Sequence, residues 1–295
     1  MYLQKHDFGA AQRAYADALA KKEAALGRHH PEYAATLAQL AEVMRLQGRL
    51  DDAAALLRES AEVLDAVGAG HTRAATARLV RLAVVLAEAG KFADAVAVHR
   101  RLLQSAENAA EPSPAALAQA QCGLADALCR TGRLDEARAL YVQSAALLDG
   151  MRSERGCVSA AAVRRRLAEA ELTDGSAASL DAAEALLTAA LPVLQAAASK
   201  AAEAAHVRAE SSPAVPPSLH GMQAAVRRRD LSLTSAHASA ALEMAAVWAA
   251  LAQLHARRGR RDAARDAARA VEEHLAAVPP GAARDAVTAK LRLVP

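Results

Sequence analysis

The sequence predicts an all-α chain made by repeating one helix pair, and three observations carry that expectation. Hydrophobic residues Phe8, Leu50, Phe92 and Leu134 stand 42 residues apart. Each is followed three residues on by an alanine: Ala11, Ala53, Ala95 and Ala137. Glycines Gly48, Gly90 and Gly132 precede the last three marks by two residues. The phrase returns at Leu180/Ala183 and at Arg261/Ala264. A fixed period of this size means stacked copies of one supersecondary unit in place of a single globular core.

The elements follow in chain order. Residues 1–30 make a partial first unit, with Met1 to His6 read as the tail of a first helix. In unit 31–70, Leu37, Leu40, Ala41 and Met44 recur at helical spacing on one face. Gly48 ends that helix, as glycine does after a last turn. Asp51 is the expected N-cap of the next, and Ala53, Leu56, Leu57, Ser60, Ala61 and Leu64 form its stripe. Units 71–112 and 113–155 repeat the scheme, with turns written Gly90-Lys91-Phe92-Ala93-Asp94 and Gly132-Arg133-Leu134-Asp135-Glu136. Unit 156–206 carries extra turn residues, Ser176 to Ser179, and Pro192, which is expected to kink or split its second helix. Residues 207–236 break the rhythm with Pro213, Pro216, Pro217 and the triplet Arg227-Arg228-Arg229, and read as a loop holding at most a short helix. Unit 237–278 closes the array. In 279–295, Ala282 to Val294 reads as a capping helix over the last apolar face. Domain by domain, this gives an array over 1–206, a loop over 207–236, a final unit over 237–278 and a cap over 279–295.

Small residues recur where the helices of a pair cross. Ala41, Ala83, Ala125, Ala168 and Ala252 mark the first helices; Ala53, Ala95, Ala137, Ala183 and Ala264 mark the second. A methyl there lets two axes approach to about 8–10 Å.

These positions resemble the tetratricopeptide (TPR) repeat. The final unit matches well: Trp248, Leu251, Ala252, Gly259 and Ala264 stand where the consensus has its Trp, Leu, small residue, turn Gly and Ala. The 42-residue period and the loop Leu26-Gly27-Arg28-His29-His30-Pro31-Glu32-Tyr33-Ala34 look like the kinesin-light-chain type. The resemblance implies a right-handed superhelical solenoid whose first helices line a concave groove. The groove positions it assigns are Gln39, Glu42 and Arg45; Arg81, Val84 and Glu88; Gln119, Asp126 and Arg130; Arg165, Arg166 and Glu169; and Gln253 and Arg257. Arginine forks among them can hold carboxylates through paired bonds, so an acidic or mixed-charge peptide is one expected guest. Light-chain repeats usually carry asparagine pairs that clamp a peptide backbone. Here the matching pairs are Ala38/Gln39, Val80/Arg81, Cys122/Gly123, Arg165/Arg166 and Ala249/Ala250. Their chemistry points to helix-to-surface contact in place of main-chain clamping.

The remaining signals exclude more than they assign. Net charge is +3 with both signs interspersed, unlike the strongly basic face of a nucleic-acid binder. Cys122, Cys129 and Cys157 are too few for a disulfide framework and fit a reducing compartment. Cys122 and Cys129 are seven apart on one helix face, without further ligands at metal spacing. His29 and His30 read as loop residues. No secretory signal opens the chain, and the apolar run Ala185 to Ser199 is interrupted by Pro192 and short of the about 20 residues a span needs. Arg228 and Arg229 precede Ser232 by four and three residues, a spacing that marks Ser232 as a phosphorylation candidate. No acid, base and nucleophile converge, so neither catalysis nor a cofactor is expected. The expected role is a cytoplasmic scaffold or adaptor for other proteins and part of a larger complex. The alternative is a permanent subunit of a cytoskeletal, ciliary or organellar assembly.

Overall fold

The structure is a computed structural model that describes residues 8–70, 72–109, 111–151, 153–211, 220–276, 278 and 280–291. Twelve helices follow one another among the described residues, with no strand: α1 (Phe8–Leu26), α2 (Pro31–Leu46), α3 (Leu50–Ala66), α4 (Arg73–Glu88), α5 (Phe92–Glu107), α6 (Pro114–Arg130), α7 (Leu134–Gly150), α8 (Glu154–Asp174), α9 (Ala177–Ser211), α10 (His220–Arg257), α11 (Arg261–Ala276) and α12 (Ala282–Leu291). They form two compact units, Met1–Leu140 and Tyr141–Pro295.

In the first unit each helix packs on the next, from α1 through α6. Ala41, Ala53 and Ala95 share one apolar cluster with Met44, Leu57, Leu82 and Leu86. All ten notch alanines of the chain are buried, none more than 3% exposed. Where α3 meets α2 even a hydroxyl fits: Ser60 is fully buried and its Oγ donates to the Ala34 carbonyl at 2.6 Å.

One turn joins each pair. Gly48 sits at φ +77, a left-handed conformation that costs glycine nothing. Its N–H donates to the Arg45 carbonyl, and the Arg49 N–H reaches back to Met44. These two bonds close the helix end as a Schellman turn. The same pair of bonds recurs at Gly90/Lys91, Gly132/Arg133 and Gly259/Arg260. Arg49 is also the N-cap of α3, with no side-chain cap bond. Asp51 is therefore not the expected N-cap. It lies one residue inside α3, where its charge favours the helix N-terminus. His30 ends the inter-unit loop and caps α2: its Nδ1 accepts from the Glu32 N–H at 3.1 Å.

The second unit departs from the 42-residue pattern. Its helices α8, α9, α10 and α11 pack in succession, and α12 lies on α10. Of the extra turn residues only Ser176 stays outside helix; Ala177 to Ser179 extend α9 by most of a turn. Ser176 Oγ accepts from the Ser179 N–H at 3.2 Å and so caps the lengthened helix. Pro192 does not split α9. It faces solvent, where water can satisfy the carbonyl its missing N–H leaves behind.

The expected loop over 207–236 is mostly helical. Residues 207–211 finish α9, and 220–236 open α10; 212–219 and Met1 to Asp7 lie outside the described residues. The reason is compositional. Pro213, Pro216 and Pro217 are confined to the gap, and 220–257 holds no proline and many strong helix formers. By length and composition Ala177–Lys200 could cross a membrane. Its Ala183, Leu187, Ala190 and Leu194 are fully buried in one cluster with α8 and α10 residues, which is a helix-packing use of that apolar face.

Candidate functional site

The candidate groove residues lie on the first helix of each pair, and the notch alanines fix which side they take. The residue after each such alanine is Glu42, Val84, Asp126, Glu169 or Gln253. The alanine turns into its partner helix, so its neighbour emerges at the edge of the buried stripe.

In the first unit, four of the candidates join into one net across α2 and α4. Arg45 Nη2 donates to Glu42 Oε1 at 2.7 Å, and its Nη1 to Glu88 Oε1 at 3.1 Å. Arg81 Nη2 donates to Glu42 Oε2 at 2.9 Å. The Arg45 bond holds the Glu42 carboxyl below its ordinary range, against partial burial and with Arg81 adding to it. Glu42 in turn pushes the Arg45 guanidinium upward. The net is charge-balanced: two guanidiniums on two carboxylates.

Beside it α4 exposes apolar surface. Val80 and Val84, one turn apart, are 43% and 49% exposed. Val84 is among the expected groove positions, and Val80 stands in one of the matched clamp pairs. Gln39 and Gln119 are exposed on α2 and α6. Of the other expected clamp positions, Ala38, Cys122, Ala249 and Ala250 are buried and cannot meet a ligand.

Two candidates on α6 are used otherwise. The Arg130 guanidinium stacks over the Phe92 ring at 4.7 Å, beside a shallow cleft at the α4–α5 turn. Asp126 acts on His99 of α5, whose imidazole fills the space that Gly123 leaves: a Cβ at 123 would stand 2.7 Å from the ring. Burial lowers the His99 pKa, with Asp126 opposing.

In the second unit the candidates form a tighter net. Arg165 Nη1 donates to Glu169 Oε1 at 2.6 Å and its Nε to Glu243 Oε2 at 3.0 Å. The Arg165 side chain is 11% exposed. Burial opposes its charge, but Glu243 and Glu169 more than offset that and raise its pKa. Burial also works against the Glu169 carboxylate, and Arg165 and Lys290 hold it charged. Lys290 comes from α12: its Nζ donates to Glu169 Oε1 at 2.6 Å, and Gln253 Nε2 donates to its carbonyl at 3.1 Å. Arg257 donates to the Leu172 carbonyl. Arg166 sits half-buried on α8. The backbone of Ser232 and the arginine triplet belongs to α10; their side chains lie outside the described residues.

The second helices carry their own ion pairs. Along α3, Asp51, Arg58 and Asp65 are spaced by seven and meet Lys91, the N-cap of α5, and Asp94 and Arg101 within it. Among the described residues no cluster of three or more His, Cys, Asp or Glu could hold a metal ion.

Residues 1–66 and 73–150 match the tetratricopeptide repeat family. No curated protein matches the sequence. Among solved structures, the chain is similar to a putative kinesin light chain of Podosopora anserina with nearly identical TPR-like repeats, at 16% identity and TM-score 0.51, covering 84% of this chain and 96% of that one. It is also similar to the apo form of RapI, at 9% identity and TM-score 0.54, covering 94% of each. Matched residues, helix-pair order and buried notches agree: the chain carries tetratricopeptide repeats over residues 1–150, and its fold is similar to that of a kinesin-light-chain-type repeat protein.

Proposed function

We propose that this chain is a non-enzymatic interaction scaffold that holds other proteins on the first-helix face of its repeats. The observation that carries the reading is the α2–α4 surface. Val80 and Val84 stand exposed beside a net whose charges already neutralise one another. Two valines presented on a packed helix offer apolar area to a partner without an ordering cost. The satisfied net forms a polar rim that fixes register, as rims do at protein interfaces.

The same net alters the expected guest. Arg45, Arg81 and Arg165 already hold glutamates, so an acidic peptide gains nothing until it displaces them. A helix or loop that brings apolar side chains and a mixed-charge margin fits better. We place the chain in a reducing, cytoplasmic setting, where its three cysteines stay reduced.

Affinity capture from the native source tests the reading, comparing the wild-type chain with a Val80→Glu/Val84→Glu variant and an Arg100→Glu control on α5. The pair of glutamates should reduce capture of a defined partner at least ten-fold while the control retains it. Equal capture by all three would remove the first-helix face as the site.

A further inference from the structure

We propose that α12 is an intramolecular occupant of the first-helix face in the second unit, and that the partner it excludes is a helical segment of another protein with the same chemistry. The inference rests on the scaffold reading and assigns a specific ligand type to one part of the face.

The residues after two notch alanines, Glu169 of α8 and Gln253 of α10, are the counterparts of Glu42 and Val84 in the first unit. Both bind α12 through one residue. Glu169 takes the Lys290 ammonium at 2.6 Å, and Gln253 donates to the Lys290 carbonyl at 3.1 Å. Four residues apart on α12, Val287 and Leu291 share its lower face. Val287 is buried in one cluster with Ala241, Ala245 and Val271, and Leu291 packs against that cluster and the one shared by α8, α9 and α10. Thus α12 reads as a bound ligand: an apolar pair one turn apart with a cation beside the second member.

Its attachment is light. The helix has ten residues, below the length at which a helix persists alone, and Pro279, Pro280 and Gly281 separate it from α11. The face beneath is already built without it, because Arg165 spans Glu169 and Glu243 within α8 and α10. Glu169 engages both an internal guanidinium and the arriving ammonium. A partner helix presenting the same apolar pair and cation meets Glu169 and the apolar surface that α12 leaves.

The test uses the full chain and a fluorescein-labelled synthetic peptide of residues 278–295. Wild type should bind the peptide weakly, because its own α12 holds the face. Val287→Asp/Lys290→Glu in the chain should release α12 and tighten peptide binding at least ten-fold. Adding Glu169→Lys should abolish that gain, and a peptide carrying Lys290→Glu should restore it. Equal binding to wild type and the released variant, or no binding to either, overturns the proposal. Helicity by circular dichroism should stay near wild type, since only ten residues are freed. A wild-type chain that dimerises at assay concentration, with the released variant monomeric, would assign the face to a second copy of α12 and overturn the foreign partner. If the peptide results hold while Val80→Glu/Val84→Glu leaves capture intact, the scaffold reading fails alone. If capture is lost as expected but the peptide never binds, the α12 proposal fails alone.

Discussion

The two units present the same kind of face in opposite conditions. In the first, α2 and α4 carry an ion net whose side chains are 27–39% exposed, with two bare valines next to it. In the second, Arg165 is 11% exposed, and α12 lies over the notch-following residues. One architecture therefore yields an open surface and a covered one. The difference arises from a ten-residue helix outside the repeat, since the notch alanines beneath are alike.

Burial also decides what each net is worth. Arg165→Ala removes a guanidinium only 11% exposed and takes that partner from Glu243, while Glu169 keeps Lys290; the loss should be about 1–3 kcal/mol. Arg45→Ala, at a more exposed net, should cost only up to about 1 kcal/mol. Urea denaturation of both variants checks the contrast; equal costs would mean that the two nets are not differently buried.

Notch substitutions are comparable in size. Ala83→Leu and Ala252→Leu should each destabilise by roughly 1–3 kcal/mol through overpacking. The losses should be similar in the two units, because both alanines are at most 2% exposed. A tolerated leucine at either position in a thermal melt would show that the crossing is looser than the packing implies.

Each unit also holds a histidine with a lowered pKa. Burial does this at His99, against Asp126. At His255 burial leads and Arg260 adds to it, against Glu184. A histidine whose folded pKa lies below its unfolded one takes up its proton more readily when unfolded. The stability it contributes is complete above about pH 6.5 and falls as pH drops through the folded value. Substituting either residue by glutamine should flatten the fall in stability below pH 6.5. A slope unchanged in both variants would contradict these assignments.

The smallest effect belongs to the α3–α5 ladder. Arg58→Ala should cost about 0.2–1 kcal/mol at low salt, since this pair is largely exposed. The cost should shrink toward zero at 1 M salt, where screening acts over about 3 Å. Arg165→Ala should keep most of its cost in the same titration.

The fold was largely legible in the chain because its packing demands are local. Alanine at a helix crossing and glycine at a left-handed turn recur at fixed spacing, and all ten alanines proved buried. The nets were legible only as residue types. Arg45 meets Glu88 and Arg81 meets Glu42, partners that stand a full repeat apart and become neighbours only once pairs stack. For α12 the sequence suggested a cap over the last apolar face; its bonds through Lys290 to Glu169 and Gln253 were not legible, because those residues lie far apart in the chain. Residues 207–236 misled because prolines and serines near 213–217 outweighed the helix-forming stretch that follows.

Hydrogen-exchange mass spectrometry on the full chain, alone and with its captured partner, tests the open and covered faces most directly. The account predicts that the partner slows exchange in α4 around Val80 and Val84 and leaves the outer helix α5 unchanged. It also predicts that α12 exchanges faster than α10 in the isolated chain. Protection centred on α5 with α4 unaffected, or an α12 as slow as α10, would contradict it.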